Sequence, residues 1–161
     1  MLQLWWLWVR LLKLEQFKYR HLTAGEIQLC RGVFGDLIDY SKASIMNHPF
    51  LPWQPNGILM APMGRLHLKP ADYVEDFSKQ NIHAQAIFIH EMAHVYQYQQ
   101  KLNVLYKGAL LQSAYYLSLK YYNPYEYCLI ATKPYLNYNI EQQGDIAKDI
   151  FLNKIENIIK K

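Results

Sequence analysis

The sequence predicts an α+β fold in one domain, a small β-sheet followed by helices. Three observations predict it. Residues 43–68 hold short apolar segments broken by Pro49, Pro52, Pro55, Pro62 and Gly64, the pattern of short strands and turns. Residues 82–101 hold neither glycine nor proline and are too many for a strand. Thr23-Ala24-Gly25-Glu26 and Asn139 carry the chemistry of helix starts. A chain of 161 residues fits one core, and 52% apolar residues excludes general disorder.

Residues 1–20 form an apolar helix or extension ahead of a domain spanning residues 21–161. Leu4, Trp5, Trp8, Leu11 and Leu12 share one helical face. No Lys or Arg precedes this run and no small-residue cleavage site follows it, so it does not read as a secretory signal peptide. The expected location at synthesis is therefore the cytoplasm. Arg10, Lys13 and Glu15 make the run too short to cross a bilayer. Docking on the domain or a partner is favoured over membrane contact through residues 1–20.

The Thr23 capping box opens a helix to about Phe34, closed by Gly35. Ala43 to Asn47 reads as a strand, and Ile58–Ala61 and Arg65–Leu68 as two more around Pro62-Met63-Gly64. Pro70 to Phe77 supplies a helical turn or two. Helices follow at Ile82 to about Lys101 and Val104 to about Tyr116, then a Tyr/Asn/Pro-rich loop over roughly 121–137. The last helix runs from Asn139 to about Ile159.

Charge and cysteine content narrow the function classes. The net charge of +4 is scattered, with no basic stripe, so no nucleic-acid partner is expected. Cys30 and Cys128 lie far apart, which supports two buried free thiols and neither a disulfide framework nor a cysteine metal site.

The chemistry lies in His90-Glu91-Met92-Ala93-His94. Residues four apart stack on one helical face, so His90 and His94 can offer two imidazole nitrogens to one ion. Glu91 sits about 100° round the helix, placed to reach a metal-bound water without being a ligand. This is the HExxH arrangement of zinc hydrolases: two ligands and a general base. The helix is apolar nearly all round, so these groups would carry a desolvation penalty unless something paired them. Such a site needs a third ligand. Glu141, Asp145, Asp149, Glu126, His67 and His83 are candidates. Glu141 is preferred, because it begins a helix free to cross the first. Asp145, one turn on, can accept the other ring N–H of a ligating histidine, His90 foremost. For an oxyanion donor, Tyr138 stands beside Tyr135 and His67.

His90-Glu91-x-x-His94 followed by Glu141-x-x-x-Asp145 resembles the gluzincin pattern. The resemblance implies a minimal zincin-like fold, Zn2+ held by His90, His94 and Glu141, Glu91 as general base and Asp145 orienting His90. Leu22-Thr23 with Glu26, Val33-Phe34-Gly35-Asp36, Ile89 to Met92 with Val95-Tyr96-Gln97, and Asn139-x-Glu141-Gln142-Gln143 carry a closer likeness. They resemble the bacterial Vgr-related or Rhs-associated metallopeptidase family, over roughly residues 22–152. Members occur near type VI secretion and polymorphic-toxin genes. That implies a peptidase acting on a peptide or protein, exported as an effector or toxin, with a secretion-apparatus or immunity partner. A non-catalytic zinc-binding module of a secretion system is the alternative. One departure is Gly144, where the family pattern suggests alanine; glycine inside a helix costs about 1 kcal/mol.

Overall fold

The structure, a computed structural model, describes Trp8 and residues 16–160. The expected N-terminal apolar face (Leu4, Trp5, Leu11, Leu12) lies outside the described residues. Among the described residues three strands form, β1 (Tyr19–His21), β2 (Ser44–Met46) and β3 (Arg65–His67). The helices are α1 (Ala24–Phe34), α2 (Ile82–Gln99), α3 (Val104–Leu117) and α4 (Ile140–Phe151).

The sheet order is β1-β2-β3, antiparallel then parallel, with Arg20, Ile45 and Leu66 abreast. Ile45 and Leu66 are wholly buried and anchor the sheet to the helical layer. The expected boundary at residue 20 falls inside β1. Its polar Tyr-Arg-His sequence gave no strand signal, and β2 supplies its hydrogen bonds. Ile58–Ala61 forms no full strand. It joins the sheet only at Met60, which bridges His67 antiparallel and covers that part of the outer edge of β3. Buried Gln54 holds the connection together: its amide donates to Ile58 O and His67 O and accepts from Phe50 N–H. That satisfies backbone groups a ladder would otherwise serve.

Helix α1 begins and ends as its sequence dictates. The Thr23 hydroxyl and Glu26 carboxylate cap each other's backbone, and Gly35 closes the helix at φ 60°. Cys30, Val33 and Phe34 face the core. The other cysteine, Cys128, is exposed rather than buried, because the loop carrying it lies on the surface. Helix α4 ends at Phe151, well short of residue 159. Asn153 adopts φ 55°, the left-handed turn asparagine tolerates, and the tail doubles back. There Asn157 Nδ2 donates to Val33 O, and Lys160 Nζ to Arg31 O and Gly32 O, covering the last carbonyls of α1.

Helix α2 is the spine. Residues 91–97 are all buried, and its main partner is α4. Phe88 stacks on Phe77 with ring centroids 5.0 Å apart, tying the helix to the segment that follows the sheet.

Glu26 does more than cap. It is fully buried, and the Arg20 guanidinium meets it through two bonds of 2.7 Å. Thr23 N–H and Phe77 N–H donate to the same carboxylate at 2.8 Å. One side chain thus joins β1, α1 and the turn before α2. A neutral amide cannot accept all four donors and leaves Arg20 without its counter-charge. Glu26→Gln is therefore expected to cost about 3–5 kcal/mol, a fall in melting temperature on the order of 10 °C. A shift within about 2 °C in a thermal melt would refute this role.

Candidate functional site

Helix α2 presents His90 and His94 one turn apart, with ring centroids 5.1 Å from each other. Helix α4 crosses them at its first turn, because the Asn139 cap starts it there. The Asn139 side chain accepts from Glu141 N–H and Gln142 N–H, and Gln142 returns a bond to Asn139 N–H. Glu141 Oε2 then lies 3.4 Å from His90 Nε2 and 3.6 Å from His94 Nε2. One turn on, Asp145 Oδ1 is 3.0 Å from His90 Nδ1 and is also held by Lys148. Glu91, at the same level on α2, is buried. One ring nitrogen each of His90 and His94 and a Glu91 oxygen lie within 4.8 Å of one another.

The remaining sequence candidates lie elsewhere. His67 Nδ1 pairs with His48 O at 3.2 Å, and His83 is exposed on the first turn of α2. Glu126 accepts from Asn123 Nδ2, while Asp149 accepts from Tyr127 and Lys154. The hydroxyls of Tyr138 and Tyr135 are engaged within the fold. Tyr138 Oη accepts from Ile130 N–H and donates to Cys128 O, and Tyr135 donates to Gln143 O. The tyrosine that faces the cluster is Tyr125, 40% exposed, its ring 6.3 Å from that of His90.

Each imidazole has its Nδ1 fixed and its Nε2 turned toward Glu141. For His94 the Nδ1 partner is Gln97 Oε1 at 2.9 Å. Gln97 Nε2 donates to Ile140 O and Gln143 Oε1, and Gln143 Nε2 donates in turn to Tyr138 O. Both glutamines are buried. Their chain of amides locks α2 against the start of α4, so the His94 ring cannot turn without breaking it.

The electrostatics follow from burying three carboxylates beside two imidazoles. Burial pushes His90 down, but the Asp145 and Glu141 contacts and the nearby Glu91 charge outweigh it, and it rises to about 10. His94 is raised in the same way, through Glu141 and Glu91 against burial. Burial would raise Glu141, yet the two histidines hold it well below the usual carboxylate range. Glu91 moves up, driven by burial and the Glu141 charge and opposed by His94, His90 and the backbone at Ala61. Its Oε2 is buried without a hydrogen-bond partner, one of three such side-chain atoms among the described residues.

No protein-family model matches the chain. Over 138 residues it is 44% identical to the type VI secretion system spike protein VgrG2b of Pseudomonas aeruginosa strain PAO1, covering 85% of this chain. Among solved structures, the effector domain of Pseudomonas aeruginosa VgrG2b is similar with a TM-score of 0.76 at 41% identity, over 88% of this chain and 78% of that one. This chain belongs to the VgrG2b effector-domain family. It spans 13% of the full length of the spike protein it matches.

In this member of the VgrG2b effector-domain family, Gly144 has a local reason. A Cβ there would meet the His90 ring at 2.5–2.7 Å, so only glycine lets α4 approach the imidazole this closely. The helix cost of this glycine is thus offset by a contact that lies on another helix. Gly144→Ala is expected to displace His90 from Asp145 and lower its titration midpoint, read by NMR on metal-free protein. An unchanged midpoint would show that the ring accommodates the methyl group.

The shifts also set a pH dependence for the metal-free protein. A raised histidine stabilises the fold below its unfolded value of about 6.5 and loses that contribution as pH climbs through about 10. Depressed Glu141 and Asp145 stabilise above the ordinary carboxylate range and lose it in acid. In the presence of a chelator the melting temperature is expected to fall between pH 6.5 and 10, and His90→Asn to flatten that limb. Parallel curves for parent and variant would contradict the assignment.

Proposed function

We propose that this chain is a zinc-dependent hydrolase, a gluzincin-like metallopeptidase exported as a type VI secretion effector. The observation that carries the reading is the meeting of His90 Nε2, His94 Nε2 and Glu141 Oε2 beside Glu91, whose Oε2 is buried and unpartnered. Two imidazoles and a carboxylate are the ligand set of a catalytic zinc site, and an orphaned buried carboxylate oxygen suits a base that waits for a water. The donor set therefore fits the ion: His90, His94 and Glu141 would hold it, with Asp145 and Gln97 fixing the two rings. When bound, zinc lowers the pKa of water toward 7 and polarises a carbonyl.

The chain's own groups have distinct tasks. Glu91 takes the proton of the attacking water at Oε2 and returns it to the leaving nitrogen. The neighbouring carboxylates push the Tyr125 hydroxyl upward, after burial, so it keeps its proton and can donate to a developing oxyanion. Residues 58–61, beside Glu91 at Ala61, are the segment against which an extended peptide would lie. Export rests on the kinship with VgrG2b, which suggests the secretion apparatus as a partner; an immunity partner belongs to the toxin reading alone. A non-catalytic zinc module has no use for Glu91, which disfavours that alternative.

Glu91→Gln tests the reading. Zinc content by mass spectrometry is expected to stay at the parent's level while cleavage of a peptide library falls at least a hundredfold. Undiminished cleavage would remove Glu91 as the base, and a parent that binds no zinc would remove the proposal.

A further inference from the structure

Apart from Lys107, Gln112 and Ser113, helix α3 carries apolar, aromatic and small residues, yet only one side touches the described domain. Val104, Gly108, Leu111 and Tyr115 form the inner seam; a Cβ on Gly108 would sit 3.8 Å from Ile140, so the helix lies close to the start of α4. Outside the seam, Leu105, Tyr106, Leu110, Tyr116 and Leu117 are 45–85% exposed, where a solvated helix carries polar residues. Leu119 and Lys120 then turn the chain at φ 54° and 69° without a glycine, leaving Leu119 81% exposed next to Leu117. Left-handed backbone at two such residues is strained, and the turn it makes holds Leu119 in solvent beside the end of the helix.

The charge on this stretch has one sign. Between Glu91 and Glu126 the sequence contains no Asp or Glu, and its lysines are Lys101, Lys107 and Lys120. A second copy seated on the same face would set lysine against lysine with no acid to pair. Leucines that project, ringed by tyrosines and lysines, suit shallow insertion among anionic headgroups better than a protein pocket. Helix α3 has 14 residues, about 21 Å of length. That is short of a hydrocarbon core of about 30 Å, and no described helix is long and apolar enough to cross a membrane.

We propose that α3 and the turn after it dock on an anionic lipid surface. The helix lies flat, with Leu117 and Leu119 below the headgroups and the lysines among the phosphates. Tyr125, in the loop after this turn, has its ring 6.3 Å from that of His90. If the hydrolase reading holds, its substrate is a peptide close to a membrane; the docking itself does not rest on that reading.

The test is co-sedimentation of the full chain with vesicles of phosphatidylglycerol and phosphatidylcholine, against phosphatidylcholine alone. The parent is expected to bind the anionic vesicles at least tenfold more tightly, less so at high salt. The double variant Leu117→Asp/Leu119→Asp is expected to lose at least tenfold, and Lys107→Glu/Lys120→Glu a further measure of about fivefold per lysine. All four side chains are exposed, so both variants are expected to melt with the parent. Glu91→Gln is expected to bind vesicles as the parent does, which separates loss of cleavage from loss of docking. Failure of the parent to bind overturns the proposal. So does undiminished binding by the leucine variant, which would place the contact elsewhere, for instance on residues 1–12. A dimer in light scattering that the leucine variant abolishes would also overturn it, making the face a self-association surface.

Discussion

Two imidazoles and three carboxylates share one buried seam between α2 and α4, and the arrangement of that half of the molecule depends on their mutual charge. None of these groups is cheap to bury alone. Together they are tolerable, because Glu141 and Asp145 meet the histidines directly, each histidine meets two polar groups, and Glu91 lies in the field of both rings. Without metal, that balance requires protons on the rings, which is why His90 and His94 both rise. A divalent cation would replace those protons with charge at the same place. The helices must cross where they do for either solution to work.

The surrounding network keeps that crossing rigid. Asp145 fixes one ring and Gln97 the other, and Gln97 is itself held by Gln143 and the backbone of α4. Gly144 removes the one atom that would keep the helices apart at His90. At the far end, Glu26 binds β1 and the turn before α2 with four donors, so the segment leading into α2 is pinned as firmly as its middle. Asp145, Gln97, Gln143 and Gly144 thus share one task, holding α2 and α4 in register.

Much of this was legible in the sequence, for local reasons. The Thr23 and Asn139 caps, Gly35 and the glycine-free stretch of α2 fix backbone within a few residues, and the helix starts follow directly. The stacking of His90 on His94 and of Asp145 on Glu141 was also foreseeable, because one helical turn sets which residues share a face; Glu141 itself was preferred because it begins a helix free to cross the first. What escaped was non-local. β1 is a strand only because β2 lies beside it, and Ile58–Ala61 falls short of one because a single bridge suffices for its place. Gln97 and Gln143 stood within the quoted motifs, yet their amides acquire meaning only when two helices meet. α4 stopped early because Asn153 took a left-handed turn that nothing in the helical periodicity announces.

The molecule divides its apolar residues unevenly, and the division is informative. Around α2 they are spent on enclosure: Phe88, Ile89, Met92, Ala93 and Val95 are wholly buried and give the charged seam its low dielectric. On α3 comparable residues lie in solvent, at a standing cost in hydration that packing does not recover. Among the described residues nothing covers Leu117 at the end of α3 or Leu119 on the turn after it. The lysines there, with no acid among them, favour an anionic surface as what meets them. Tyr125 follows that turn by five residues and sets its ring against His90. The stretch that carries the exposed leucines therefore leads along the chain into the candidate metal centre.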